Sequence, residues 1–417
     1  MNNATLPAAG LPPSFKSRIA ERIAGSQNLL ARWRSGPDLE LYYEAGDPHS
    51  QLCAALARRL LPRLGTLLRI RLVPTPNAET YPEEARQRAF AATDAARLAP
   101  CHGLPVPRML TPVQIAQLQA RLAAAGDGAE FLAAEEAALR ELDDGRPISG
   151  PVADSGSLQK LLQANAARRR QLAHYLPAMW QYHGEWFWAL DRLEFLRARL
   201  KADGVLGDSA PLSTLDASRL PEAPVAPGTP LEFWYSFRSP YSYLAAVELL
   251  RRRATGHGTE LRVRPVLPMV MRGLPVPSIK RLYIVRDVKR CADAQGIPFG
   301  RIHDPVGDPA SRLLTVFPLE ADVDTQLRYC AIAGQSVWAE GLDAGRDDVL
   351  RSIYERCRLD WAPAAAKLAR GIDTQYAQDN RDALFAAGLW GVPSFRAGDF
   401  NTWGQDRLWM VEKVTGA

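Results

Sequence analysis

Apolar and polar positions along this chain follow two alternating periods. Short runs rich in β-branched, aromatic and leucine residues read as strands: LELYY at 39–43, LLRIRLV at 67–73, LEFWY at 231–235 and ELRVRPV at 260–266. Each first strand ends at a turn and leads into a helix that starts near a proline, Pro48 or Pro240. Proline suits a first helical turn because its missing N–H would have no partner there. Each second strand completes a β-α-β unit. Long stretches follow, 82–175 and 277–388, where alanine and leucine dominate and charges recur at helical spacing. A proline-containing turn, a short β-hairpin around Gly184 or Gly398, and a final helix (DRLEFLRARL or DRLWMVEKV) close each half.

The order is the same twice, which is the mark of an internal repeat. Leu39 pairs with Leu231, Gly65 with Gly258, Asp94 with Asp287, Pro177 with Pro393 and Asp191 with Asp406. The separation is nearly constant over the first three pairs and longer over the last two, so the helical insert is longer in the second copy. The expected organisation has four parts. Residues 1–36 carry a basic amphipathic helix from Phe15 to Trp33, residues 37–202 the first copy, 203–229 a Pro/Gly/Ala/Ser/Asp-rich linker, and 230–417 the second copy. Such a basic helix either docks on its own domain or lies on a membrane surface.

Composition narrows the class. The 417 residues are 47% apolar and 23% charged, as in ordinary globular proteins, and each half is long enough for its own core. No apolar run is long enough to span a membrane, and the N-terminus lacks the pattern of a secretory signal. The net charge of +5 is mild and implies solubility and weak anion attraction at most. The five cysteines, Cys53, Cys101, Cys291, Cys330 and Cys357, are scattered and form no CxxC. That fits a reducing, cytoplasmic setting and excludes a dithiol exchange centre. The six histidines show no metal-ligand spacing, so no metal is expected. No phosphate loop or nucleic-acid motif is present.

Five separated motifs of the second half, FWYSFRSPYSYLAAVELL, RPVLPMVMRG, PSIKRLYIVRDVKR, GLWGVPSF and WGQDRL, closely resemble the 2-hydroxychromene-2-carboxylate isomerases. These are relatives of kappa-class glutathione transferases within the DsbA-like thioredoxin-fold superfamily. The first half resembles them only through the repeat. The resemblance implies an α/β chain of tandem thioredoxin-like (DsbA-like) folds, each with an inserted helical subdomain, of bacterial type, with glutathione as cofactor and a small-molecule substrate. It implies that Ser239 holds the glutathione sulfur. A hydroxyl and free N–H groups at a helix start favour a thiolate, the nucleophilic form, and Arg238 adds positive charge nearby. Ser239 is equally suited to act only as an N-cap. Val392-Pro393 resembles the cis-proline turn of the fold, where Val392 would pair with the glutathione backbone. Gly404-Gln405-Asp406 falls where the family binds the γ-glutamyl end, although Asp406 could simply cap the last helix. Lys280 falls where the family places a lysine for a carboxylate of glutathione or substrate, and its counterpart in the first copy is near Gln87. The segment 302–314 departs from the family pattern.

At the place of Ser239 the first copy has Asp47. A carboxylate about 4 Å from a thiolate repels it by roughly 4 kcal/mol at an effective dielectric near 20. The first copy is therefore expected to be degenerate, with Asp47 as a helix cap, Cys53 as a core thiol rather than the partner of His49, and the two copies packed as an intrachain pseudo-dimer. Three functions compete. One is a glutathione-dependent isomerase or transferase that adds the thiolate to an electrophilic, aromatic substrate. The others are a non-catalytic binding or scaffold protein and, least favoured, a thiol-disulfide oxidoreductase. Trp234, Tyr241, Trp403 and Trp409 offer either aromatic surface for such a substrate or core packing.

Overall fold

LELYY is apolar at four of its five positions, and the structure buries all five at the centre of a sheet. The structure is a computed structural model that describes residues 6–12, 29–78, 81–207, 210–256, 260–274 and 276–416. The chain divides into two compact units, Gln27–Pro221, and Glu222–Ala417 together with the residues up to Ser26.

The N-terminal unit begins with α1 (Leu29–Ser35), β1 (Leu39–Tyr43), α2 (Pro48–Leu64) and β2 (Leu68–Leu72). Four insert helices follow: α3 (Glu84–Cys101), α4 (Pro112–Ala123), α5 (Ala129–Asp143) and α6 (Ser155–Gln171). The hairpin β3 (Met179–Tyr182) and β4 (Glu185–Trp188) and helix α7 (Leu193–Ala202) complete it. The sheet order is β2-β1-β3-β4, with β1 parallel to β2 and antiparallel to β3.

The C-terminal unit has β5 (Leu231–Tyr235), α8 (Pro240–Ala254) and β6 (Leu261–Pro265). Six insert helices follow: α9 (Ser278–Gln295), α10 (Asp308–Thr315), α11 (Val323–Trp338), α12 (Asp347–Arg356), α13 (Trp361–Ala369) and α14 (Gln375–Ala386). Then come β7 (Ser394–Ala397), β8 (Phe400–Trp403) and α15 (Leu408–Thr415). Its sheet order, β6-β5-β7-β8, has the same strand senses as the first. Helices α8 and α11 pack closely at Gly334, where a Cβ would stand 2.5 Å from the Tyr243 ring.

Three side-chain ties occupy matching places in the two units. Glu40 on β1 accepts from Arg71 on β2 at 2.8 Å, and Glu232 on β5 accepts from Arg264 on β6 at 2.6 Å. Asn165 donates to the Leu72 carbonyl and Asn380 to the Pro265 carbonyl, both at 2.9 Å. His49 lies 3.5 Å from Asp94, and the Tyr241 hydroxyl donates to Asp287 at 2.7 Å. In each case the side chain after the α2 or α8 proline meets a buried carboxylate on the first insert helix.

One segment differs from the sequence expectation. Much of the stretch read as a linker is packed: Leu206, Leu212 and Leu220 are buried in the N-terminal unit, Arg63 donates to the Ala210 and Pro211 carbonyls, and the Asp216 N–H bonds to the Cys101 carbonyl. Its proline and small residues describe an extended path that can still cover a core. Of the helix expected from Phe15 to Trp33, residues 15–28 lie outside the described residues, and Leu29–Ser35 is helical. No described helix is long and apolar enough to cross a membrane.

Candidate functional site

Ser239 ends the turn after β5. Its backbone is extended, and its Oγ accepts from the Ser242 N–H at 3.1 Å, so it is the N-cap of α8. The same hydroxyl also reaches the Val392 carbonyl, donating at 3.4 Å across 153 residues of sequence. Val392-Pro393 is a cis peptide, the one recorded among the described residues. The Gly404 N–H bonds to the Pro393 carbonyl at 2.9 Å, which joins this turn to the Gly404-Gln405-Asp406 segment. Gly391 is required here, because a Cβ would lie 2.8 Å from Trp403 Nε1.

Gln405 is buried, accepts from Gln295 at 3.2 Å and donates to Asp406 Oδ1 at 2.6 Å. The turn Gln405–Arg407 packs against α8. The residue preceding the final helix of each unit is Arg192 or Arg407, without a side-chain cap, so neither Asp191 nor Asp406 holds the N-cap position.

Lys280 lies on α9, which packs against α8. It is seven residues from Asp287 and so on the same helical face, the face that Asp287 turns to Tyr241. Lys280 has no ion-pair partner among the described residues, and burial brings its ammonium pKa down to about 8. Ser239, Val392 and Pro393 are thus in direct contact, while Gln405, Asp406 and Lys280 sit on elements packed around the same helix.

One expectation needs correction. Arg238 is not a free positive charge for a thiolate, because it is clamped by Asp304 through two 2.7 Å bonds. Asp304 comes from the segment 302–314, and nothing in the sequence marked it. Of the two roles open to Trp234, the structure gives core packing: it is fully buried, with its indole N–H on the Asn380 carbonyl. Tyr241, Trp403 and Trp409 are half-buried. The tie from Asp287 to Tyr241 was also missed as a feature of the site, although its pairing with Asp94 in the repeat was a signal.

The corresponding place in the N-terminal unit is filled. Asp47 caps α2, its Oδ2 accepting from the Ser50 N–H and hydroxyl at 2.7 Å each. Arg88 reaches in to bond Glu44 at 2.8 Å, Thr75 at 3.1 Å and the Gly46 carbonyl at 3.4 Å. Glu44 is buried, and burial and then Asp47 push its carboxyl pKa up. A Cβ at Gly46 would lie 2.9 Å from Ile115 Cδ1. Cys53 is fully buried and faces the Ala178 carbonyl at 4.0 Å, and burial and then Asp47 push its thiol well up. His49 faces Asp94 and Trp188. Gln87, near the place that the sequence pairs with Lys280, is buried and uncharged.

Residues 230–415 match the family model of the DSBA-like thioredoxin domain. The C-terminal unit has a DsbA-like fold over this match, which spans less than half of the chain. Two curated relatives of this DsbA-like domain are named 2-hydroxychromene-2-carboxylate isomerase. The protein from Pseudomonas putida is 25% identical over 194 residues, 45% of this chain and 94% of its own length. That from Pseudomonas sp. (strain C18) is 24% identical over 194 residues, 45% of this chain and 90% of its own length. A solved structure of 2-hydroxychromene-2-carboxylate isomerase is 26% identical and covers 45% of this chain and 94% of its own, with a TM-score of 0.39. No group of three or more His, Cys, Asp or Glu among the described residues could hold a metal ion.

Proposed function

We propose that the DsbA-like domain is a glutathione-dependent isomerase or transferase of the 2-hydroxychromene-2-carboxylate isomerase type, and that the N-terminal unit is a diverged copy of the same fold without that activity. The observation that carries the reading is Ser239. A serine, not a cysteine, stands at the start of α8 with its hydroxyl at the Val392 carbonyl. The start of α8 favours an anion, and the hydroxyl can donate to a bound thiolate once it turns from the Val392 carbonyl. The backbone of Val392 offers strand-like pairing to the tripeptide, Gln405 and Asp406 suit its γ-glutamyl end, and Lys280 suits a carboxylate of glutathione or substrate. The thiolate adds to an electrophilic double bond. Rotation and loss of the thiolate give isomerisation, and release of the adduct gives transfer.

Thiol-disulfide exchange is disfavoured because all five cysteines are buried and neither α2 nor α8 begins with one. Divergence of the N-terminal unit is supported by the shared strand order and the three matching ties, and its inactivity by Asp47 and the inserted Arg88. Calorimetric titration of the full chain with reduced glutathione tests the reading. One site per chain is expected, weakened in Asp406→Ala and altered in pH dependence in Ser239→Ala. Absence of heat at millimolar glutathione sinks the cofactor assignment and leaves a thioredoxin-fold binding protein.

A further inference from the structure

A serine stands three residues after the N-cap of both first long helices, Ser50 in α2 and Ser242 in α8. In α2 its hydrogen-bonding capacity is fully used. The Ser50 N–H and hydroxyl both donate to Asp47 Oδ2 at 2.7 Å, and the Ser50 oxygen accepts from the Glu44 N–H at 3.1 Å. In α8 the pattern is incomplete. The Ser242 N–H donates to Ser239 Oγ at 3.1 Å, but the Ser242 hydroxyl is fully buried and has no hydrogen-bond partner among the described residues. A buried polar group left without a partner costs free energy, so its presence calls for a physical reason.

The acceptor that matches Asp47 is Ser239 Oγ. A serine oxygen can accept two hydrogen bonds and has one proton to give. At rest Ser239 accepts one bond, from the Ser242 N–H, and sends its proton to the Val392 carbonyl at 3.4 Å. That bond is longer than an ordinary O–H···O bond, so little is lost when the proton leaves it. A thiolate at the start of α8 offers the proton a charged acceptor. The Ser242 hydroxyl can then fill the second accepting position, as Ser50 does on Asp47. Ser239 is left with its proton as the one bond to offer, and hydrogen bonds in series strengthen one another.

We propose that Ser242 is a positioning residue of this site. Its hydroxyl closes on Ser239 Oγ when the Ser239 proton turns to the glutathione thiolate, which lowers the pKa of that thiol. The role rests on the glutathione site proposed for the DsbA-like domain.

The test is the pKa of bound glutathione in the full chain, read from the ultraviolet absorbance of its thiolate, with S-methylglutathione as a probe of binding that has no thiol. Ser242→Ala should raise that pKa by about half a unit, against about one to two units for loss of the Ser239 hydroxyl. Because Ser242 acts through Ser239, the double variant should match Ser239→Ala. Ser242→Cys, with a weak S–H donor, should fall between the parent and Ser242→Ala. Affinity of Ser242→Ala for S-methylglutathione should equal the parent's. Its urea midpoint should be no lower, since alanine removes a buried hydroxyl that lacks a partner. An unchanged thiol pKa in Ser242→Ala, with normal S-methylglutathione binding, overturns the proposal and leaves the glutathione site standing. A further shift in the double variant also overturns it. So does a marked loss of stability in Ser242→Ala, which would give the hydroxyl a partner in the resting fold. A parent that binds neither glutathione nor S-methylglutathione overturns the site itself, and the role of Ser242 with it.

Discussion

At the scale of single residues, Lys280 and Ser239 make opposite kinds of prediction. Lys280 has a folded-state pKa of about 8 against an ordinary 10.5, with burial as the cause. Between those values the unfolded chain binds more protons, so stability should rise with pH across that window. Comparing thermal unfolding of the parent with Lys280→Met isolates the effect. The variant should lack this rise and gain stability near neutral pH, where the parent buries an unpaired charge. An anionic ligand would raise the lysine pKa, so affinity for S-methylglutathione, which has no thiol to titrate, should fall as pH passes about 8 and do so less in Lys280→Met. Ser239→Ala should cost about 1 kcal/mol of stability through loss of the N-cap, and should reduce turnover by a larger factor than the cap alone explains. Equal loss of turnover in a variant destabilised elsewhere in α8 would reduce Ser239 to a cap. The type of residue at 239 was legible from the motif around it. The neutralisation of Arg238 was not, because Asp304 lies 66 residues away in a segment without pattern.

At the scale of elements, what decides stability is where helices meet their neighbours. Gly334 lets α11 approach α8, and Gly334→Ala forces its Cβ onto the buried Tyr243 ring. A loss of about 1–3 kcal/mol is expected from overpacking, read from urea unfolding midpoints. In the N-terminal unit, Arg88→Met leaves Glu44 buried without its cation. That should cost about 3 kcal/mol, and pairing it with Glu44→Gln should recover much of the loss. Periodicity was enough to read the strands and the helical character of both inserts, since a strand alternates in two residues and a helix repeats near 3.6. It could not show that Arg88 turns inward. Arg88 carries the same chemistry as the arginines on exposed faces, and its direction depends on the distant Glu44 and Thr75.

At the scale of the whole molecule, two units share one sheet order but differ at the start of their first long helix, with Asp47 in one and Ser239 in the other. A stoichiometry of one glutathione per chain follows from the proposed reading, and two would show that the Arg88 contacts do not close the N-terminal unit. The shared sheet order was visible in the sequence because paired motifs kept their order. The packing of residues 203–221 was not, since composition marks extended backbone without saying what it covers. All five thiols are buried. A thiol reagent should therefore modify none in the folded chain and all five once it is unfolded. Shielding on this scale also bears on how the protein can be used. A cysteine introduced by design at any exposed position becomes the molecule's single accessible thiol. One dye or spin label then reports from one known place, with no native residue to be removed first.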